Sequence, residues 1–212
     1  MTTPKNIANS LVPEICQRFG SEKRFILAIA GPPGAGKSTL ADELVRVLND
    51  LLIERPAAAV PMDGFHYDNL ILDALGLRAR KGAPETFDAS GFLAMVQRLK
   101  HADEPVAIPV FDRMMDLSRA SARIIEPHHR LLIIEGNYLL LDQPYWRDLK
   151  ALFDFTIMLR PSLKLIEDRL IQRWLDHGFD YESASARARG NDLSNARLIL
   201  AESHPAEMTI RD

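Results

Sequence analysis

The stretch Gly31-Pro32-Pro33-Gly34-Ala35-Gly36-Lys37-Ser38 constrains this chain more than any other feature. It follows "RFILAIA" (24–30), an apolar run of buried-strand length, and precedes a helical pattern from about Lys37 to Ile53. It fits G-x-x-x-x-G-K-[ST] in the strand–loop–helix context that gives the pattern its meaning. Glycines let backbone N–H groups curl round phosphates, and the helix N-terminus favours negative charge. Lys37 is placed to reach the outer phosphates and the Ser38 hydroxyl to ligate Mg²⁺. The expected nucleotide site is therefore Gly31, Pro32, Pro33, Gly34, Ala35, Gly36, Lys37, Ser38 and Thr39.

Further along, strand-like runs alternate with helical patterns. "AAAVPM" (57–62), "VAIPVF" (106–111), "LLIIEG" (131–136) and "FDFTIML" (153–159) read as strands, and "AEMTIRD" (206–212) as a candidate last one. Helical spacing appears in "ASGFLAMVQRLKHA" (89–102) and in "PSLKLIEDRLIQRWLDHG" (161–178), which opens on Pro161 and stops near Gly178. Near the start, Ile7, Leu11, Ile15 and Phe19 fall on one helical face. Alternation with several wholly apolar strands implies α/β architecture, with a parallel sheet covered on both faces. Ligands of such sheets bind at the carboxyl ends of the strands. Three strands here end in "GPPGAGKS", "DGFH" and "EGNY", which brings polar groups to one edge.

The loop specifies a nucleoside triphosphate and Mg²⁺, not the reaction. No guanine-reading Asn-Lys-x-Asp follows a later strand, and no Leu-Ser-Gly-Gly-Gln is present. Small-molecule kinases lead, and ATP is the expected donor. Asp63 then gains a role. In phosphoryl transfer to an alcohol, a carboxylate can orient the acceptor hydroxyl and take its proton. The alternative is an aspartate that only caps its turn, since Asp-Gly is common there. Glu135 ends an apolar run, where an acid is costly unless it meets an ion or a water network. It is the second candidate metal ligand, beside Ser38, with a structural cap as the alternative.

His66 either contacts the acceptor or is packed and hydrogen-bonded. Arg113 either binds an acceptor oxygen through its planar fork or pairs with Asp112 or Asp116. Phe65, Tyr67, Phe87, Phe111 and Tyr138 are candidate pocket walls, though such aromatics often belong to the core. His128 and His129 precede a strand and lack the further ligands of a zinc site. The net charge of −3 gives no footprint for nucleic acid or an anionic membrane. The single cysteine, Cys16, allows no internal disulfide, and no signal peptide or bilayer-length apolar run is apparent. A cytoplasmic protein is expected, with a small-molecule acceptor as partner and a homodimer left open.

The order of phosphate loop, "DGFHYDN", "RKGAPETFD", "PVFDR", "IIEGNYLL" and an arginine-bearing helix resembles the uridine kinase, phosphoribulokinase and type I pantothenate kinase superfamily from about Arg24 to Asp212. "RKGAPETFD" is especially similar to the pantothenate kinase segment. The shorter chain as a whole is most similar to bacterial kinase-like proteins named for fructose transport systems or as nucleoside kinases. The resemblance implies a single three-layer P-loop domain over 1–212, with a small helical lid at about 165–192. It implies that Asp63 is the catalytic base and that Glu135 sits near the metal. It implies that Arg80, Lys81, Glu85 and Asp88 border the acceptor. Arg169 and Arg173, four apart on one helix face, would belong to the lid over the phosphates, Arg173 with a catalytic part. The region 190–199 would lie near the adenine. This chain departs from the pattern at Phe111-Asp112-Arg113, at Asp116 and Arg119, and at His177-Gly178. The reading that results is an ATP-dependent kinase for a hydroxyl of a small metabolite, a sugar or nucleoside first. A pantothenate kinase-like enzyme and a regulatory ATP-binding NTPase are the alternatives.

Overall fold

The computed structural model describes residues 3–20 and 24–211. Five parallel strands form the central sheet: β1 (Phe25–Ala30), β2 (Ala57–Pro61), β5 (Leu131–Gly136), β6 (Phe155–Leu159) and β7 (Met208–Ile210). Their spatial order is β2-β5-β1-β6-β7. Asp212, the last residue of the expected C-terminal strand, lies outside the described residues. The helices are α1 (Pro4–Arg18), α2 (Lys37–Leu51), α3 (Asn69–Ala74), α4 (Ala89–His101), α5 (Leu163–Asp176), α6 (Tyr181–Arg187) and α7 (Leu193–Glu202).

The sheet is apolar on both faces, and each face has its own cover. From β1, Phe25, Leu27 and Ile29 pack with Leu11 and Ile15 of α1 and Leu40, Leu44 and Leu48 of α2. Ile26, Ala28 and Ala30 point the other way, into a core that holds Phe92, Val96 and Leu99 of α4. The alternate pointing of successive strand residues builds both layers from one run. The result is a three-layer α/β fold.

One strand lies outside this sheet. Val106–Asp112 (β3), expected as a member of the alternating series, pairs antiparallel with Leu117–Ile125 (β4) in a separate two-stranded sheet. Its partner has no counterpart among the expected strands. The reason is physical: β4 reads "LSRASARII" and is mostly exposed, so it carries little of the apolar run that marks a buried strand. The hairpin buries Val106, Ile108 and Ile125 against the α4 side of the sheet.

α5, α6 and α7 gather round a third apolar cluster, with Ile166, Leu170, Ala184 and Ala196 fully buried. Ser162 caps α5 by accepting from the Leu165 N–H, so the helix starts two residues after Pro161. The link from α6 to α7 is a short π-helical turn, Ala188–Asp192.

Candidate active site

The strand register decides what meets at the sheet edge. Glu135 of β5 is level with Ile29 of β1 on one side and Pro61 of β2 on the other. The phosphate loop, the turn Met62–Phe65 and the segment after Glu135 therefore leave the sheet together.

In the loop, a Cβ on Gly31 would stand 2.7 Å from the Leu159 carbonyl oxygen, so β6 and the loop can approach only without a side chain there. Gly36 adopts φ 91°, a left-handed conformation, at the N-cap of α2. No side chain caps this helix, which leaves its first N–H groups for a ligand. The Lys37 ammonium is buried and donates to the Pro32 carbonyl at 2.9 Å and to Asn137 Oδ1 at 2.6 Å. Burial pushes its pKa down to about 8, partly offset by Glu135 and Asp63. Ser38 and Thr39 lie exposed in the first turn of α2.

Glu135 is buried, with a side-chain hydrogen bond from Ser38. Burial raises its carboxyl pKa, and the nearby Asp63 charge adds to the rise. A buried acid with a raised pKa, next to a hydroxyl at the phosphate loop, fits a divalent cation. Among the described residues no group of three or more His, Cys, Asp or Glu side chains could hold a metal.

Asp63 follows β2 in a 3₁₀ turn and accepts from Arg113 Nη2 at 3.1 Å. Gly64 lets the hairpin close on this turn, since a Cβ there would collide with the Pro109 backbone. Ser118 of β4 donates its hydroxyl to the Gly64 carbonyl. Ser38, Glu135, Asp63, Phe111 and Arg113 all border one cavity of about 170 Å³.

Other expected acceptor residues have different surroundings. His66 is packed between Phe87 and Phe111 at ring distances of 4.0 and 4.7 Å, with Nδ1 2.8 Å from the Asp63 carbonyl oxygen. Burial lowers its pKa, so it is neutral near pH 7. Phe65 packs edge-on against Phe92. Of the two readings open for Tyr138 and Phe87, their surroundings are those of the core, where both are enclosed with Trp146. The Tyr138 hydroxyl donates to the Gly82 carbonyl at 2.5 Å, and burial raises its pKa. Arg80 and Glu85 pair with each other on the surface at 3.3 Å. Lys81 is tied to Asp116 and Asn69, each at 2.7 Å. Asp88 caps α4. Arg113 pairs with Asp63, not with either of the acids nearer in sequence.

Above the loop, Arg169 donates to the Gly34 carbonyl at 3.2 Å. Arg173 turns instead to Asp192, 3.0 Å away, whose Oδ2 also accepts from Trp174 Nε1 at 3.1 Å. Next to it, Asn191 donates to the Lys81 carbonyl at 2.8 Å, joining the helical cluster to the segment around Lys81. Asn137 and Arg123 have no place among the residues expected from the sequence, and Asp192 enters there only as part of the lid and of the region 190–199. Asn137 carried a signal, its place two residues after Glu135 at a strand end. Arg123, which also borders the cavity, lies on the unforeseen β4.

Residues 26–192 match the phosphoribulokinase / uridine kinase family. A Schizosaccharomyces pombe protein named "putative uridine kinase" is 35% identical over 185 residues, covering 84% of this chain and 79% of its own. The pantothenate kinase of Mycolicibacterium vanbaalenii is 33% identical over 152 residues, 71% of this chain but 48% of that enzyme. The crystal structure of a "putative fructose transport system kinase" from Silicibacter sp. TM1040 superimposes with a TM-score of 0.89 at 46% identity, covering 99% of this chain and 100% of that one. With its phosphate loop, parallel sheet and site-bearing strand ends, the chain belongs to the phosphoribulokinase / uridine kinase family of P-loop kinases.

Proposed function

We propose that this protein transfers the terminal phosphoryl group of ATP to a hydroxyl of a small metabolite, with a sugar or nucleoside as the first candidate. The observation that carries this reading is the shared cavity, where Asp63 faces the same space as Ser38 and Glu135. A carboxylate beside the phosphate loop but outside it stands on the acceptor side of the reaction. Asp63 orients the acceptor hydroxyl and takes its proton as the new oxygen–phosphorus bond forms and the bond to the departing ADP oxygen breaks. Lys37, buried and short of water, directs its charge at the outer phosphates. Ser38 and Glu135 are the residues that would hold Mg²⁺, which would supply charge neutralisation for the phosphate oxygens. Arg169 and Arg173 belong to a lid over about 165–192, whose closure excludes water. Pantothenate is the second acceptor candidate, because "RKGAPETFD" and the Mycolicibacterium relative both point that way.

The test is a screen of ADP release with sugars, nucleosides and pantothenate, with the phosphorylated product identified. Acceptor-stimulated turnover that is lost in Asp63→Asn supports the kinase reading. ATP hydrolysis indifferent to every acceptor, with no phosphorylated product, overturns it and favours a regulatory NTPase.

A further inference from the structure

The charges around the cavity are sorted. Asp42 lies one turn beyond Ser38 on α2, and Glu135 bonds to Ser38, so both acids stand on the phosphate-loop side. Arg113 and Arg123 come from the hairpin on the opposite side. Asp63 lies between them, paired with Arg113.

Neither guanidinium is used up. Each has five N–H donors. Among the described residues Arg113 makes one hydrogen bond, to Asp63, and Arg123 makes one, to the Ala59 carbonyl at 2.7 Å. That carbonyl belongs to β2, the edge strand, so Arg123 is anchored at the rim of the cavity it borders. A neutral polyol needs no such pair. A planar fork held at one corner suits a carboxylate or phosphate oxygen.

We infer that the acceptor carries an anionic group, a phosphate or a carboxylate, received by Arg123 with Arg113 beside it, while its hydroxyl lies at Asp63. This rests on the kinase reading and narrows its substrate class. It assigns Arg123 a specificity role beyond covering a strand edge.

The experiment uses matched pairs that differ only in the anion: ribose and ribose 5-phosphate, fructose and fructose 6-phosphate, panthenol and pantothenate. The sugar pairs probe phosphate, and the last pair probes carboxylate. Wild-type protein should phosphorylate the anionic member of at least one pair with kcat/KM higher by about tenfold to a hundredfold, the scale of a charge-assisted hydrogen bond. Arg123→Gln should erase that preference by raising KM for the anionic member alone. Arg123→Lys, which keeps the charge, should retain part of it. A purely structural Arg123 would lower both members of a pair together, and that result overturns the inference. So does transfer to neutral members as fast as to anionic ones, which leaves the kinase reading standing. Transfer to none of the six, with ATP turnover also indifferent to every acceptor in the wider screen of sugars, nucleosides and pantothenate, overturns the kinase reading and removes the inference with it.

Discussion

The Lys37 ammonium and the Asn137 amide oxygen meet at 2.6 Å, bridging the phosphate loop to the end of β5. The bond holds a buried cation ready at the site, and burial leaves its pKa at about 8 against an ordinary 10.5. The sign follows. In the free protein, the charged lysine costs stability below pH 8, and that cost fades as pH rises toward the ordinary lysine range. Triphosphate binding needs the ammonium, so ATP affinity should fall above pH 8, by up to about tenfold per pH unit before phosphate raises the pKa again. Calorimetric titration of ATP from pH 7 to 9.5 checks this. Lys37→Ala should greatly weaken binding at every pH, and unchanged affinity in a folded variant would remove Lys37 from the phosphate site.

Glu135 offers a contrast, because its burial acts on an acid. Its carboxyl pKa is raised by burial, with the Asp63 charge adding to the rise, and a bound cation would oppose that rise. Glu135→Gln removes that charge and should keep the fold, since an amide of the same shape carries no burial penalty for ionisation. The expected outcome is a Mg²⁺ requirement shifted upward by about tenfold or more in a metal-activation curve, the scale of a lost charged ligand. A curve that overlays wild type would make Glu135 a cap of its strand end.

How much of this was legible depends on what each residue must do. Gly31, Gly36 and Lys37 follow a spacing that phosphate binding demands, so pattern and geometry coincide. Asp63 and Glu135 stood out as acids ending apolar runs, and the register of β2 and β5 brings them to one edge. Tyr138 did not reveal itself, because an aromatic after a strand looks the same whether it faces a ligand or the core. Its hydroxyl finds Gly82 in the interior, a partner far away in sequence. The hairpin was hidden for another reason. β4 is held by pairing with β3 and packs little apolar surface of its own, so Arg123 had no element to place it.

The proposed lid would carry its own reporter. Arg173 and Trp174 both donate to one oxygen of Asp192. If nucleotide draws Arg173 toward the phosphates, Trp174 loses the neighbour that shares its acceptor. The chain has two tryptophans, and Trp146 is buried in the core, so the ligand-dependent emission should come from Trp174. A Mg²⁺-loaded ATP analogue should change that emission and slow hydrogen exchange over 165–192. Asp192→Asn should shift the emission of the free protein toward the bound value. Identical spectra and exchange with and without nucleotide would mean that α5 to α7 do not close.

The proposed reaction turns on Asp63. Its partner Arg113 is largely exposed, so the pair is a weak lock that an incoming acceptor can share or displace. The transition state of phosphoryl transfer asks for a positioned hydroxyl more than for a strong base, so a well-placed carboxylate suffices. Asp63→Asn keeps the shape of the side chain but removes its charge and most of its basicity. Acceptor phosphorylation should fall by roughly a hundredfold or more, the usual scale for losing a general base. ATP binding should stay near normal, because none of the Lys37 or Ser38 contacts involves Asp63 directly. Both quantities belong on one preparation, so that misfolding cannot imitate the effect. Arg113→Gln supplies the control: it removes the lock but leaves the carboxylate, and should cost transfer less than Asp63→Asn does. If Asp63→Asn turns over within a few-fold of wild type, Asp63 serves the turn after β2 and not the reaction.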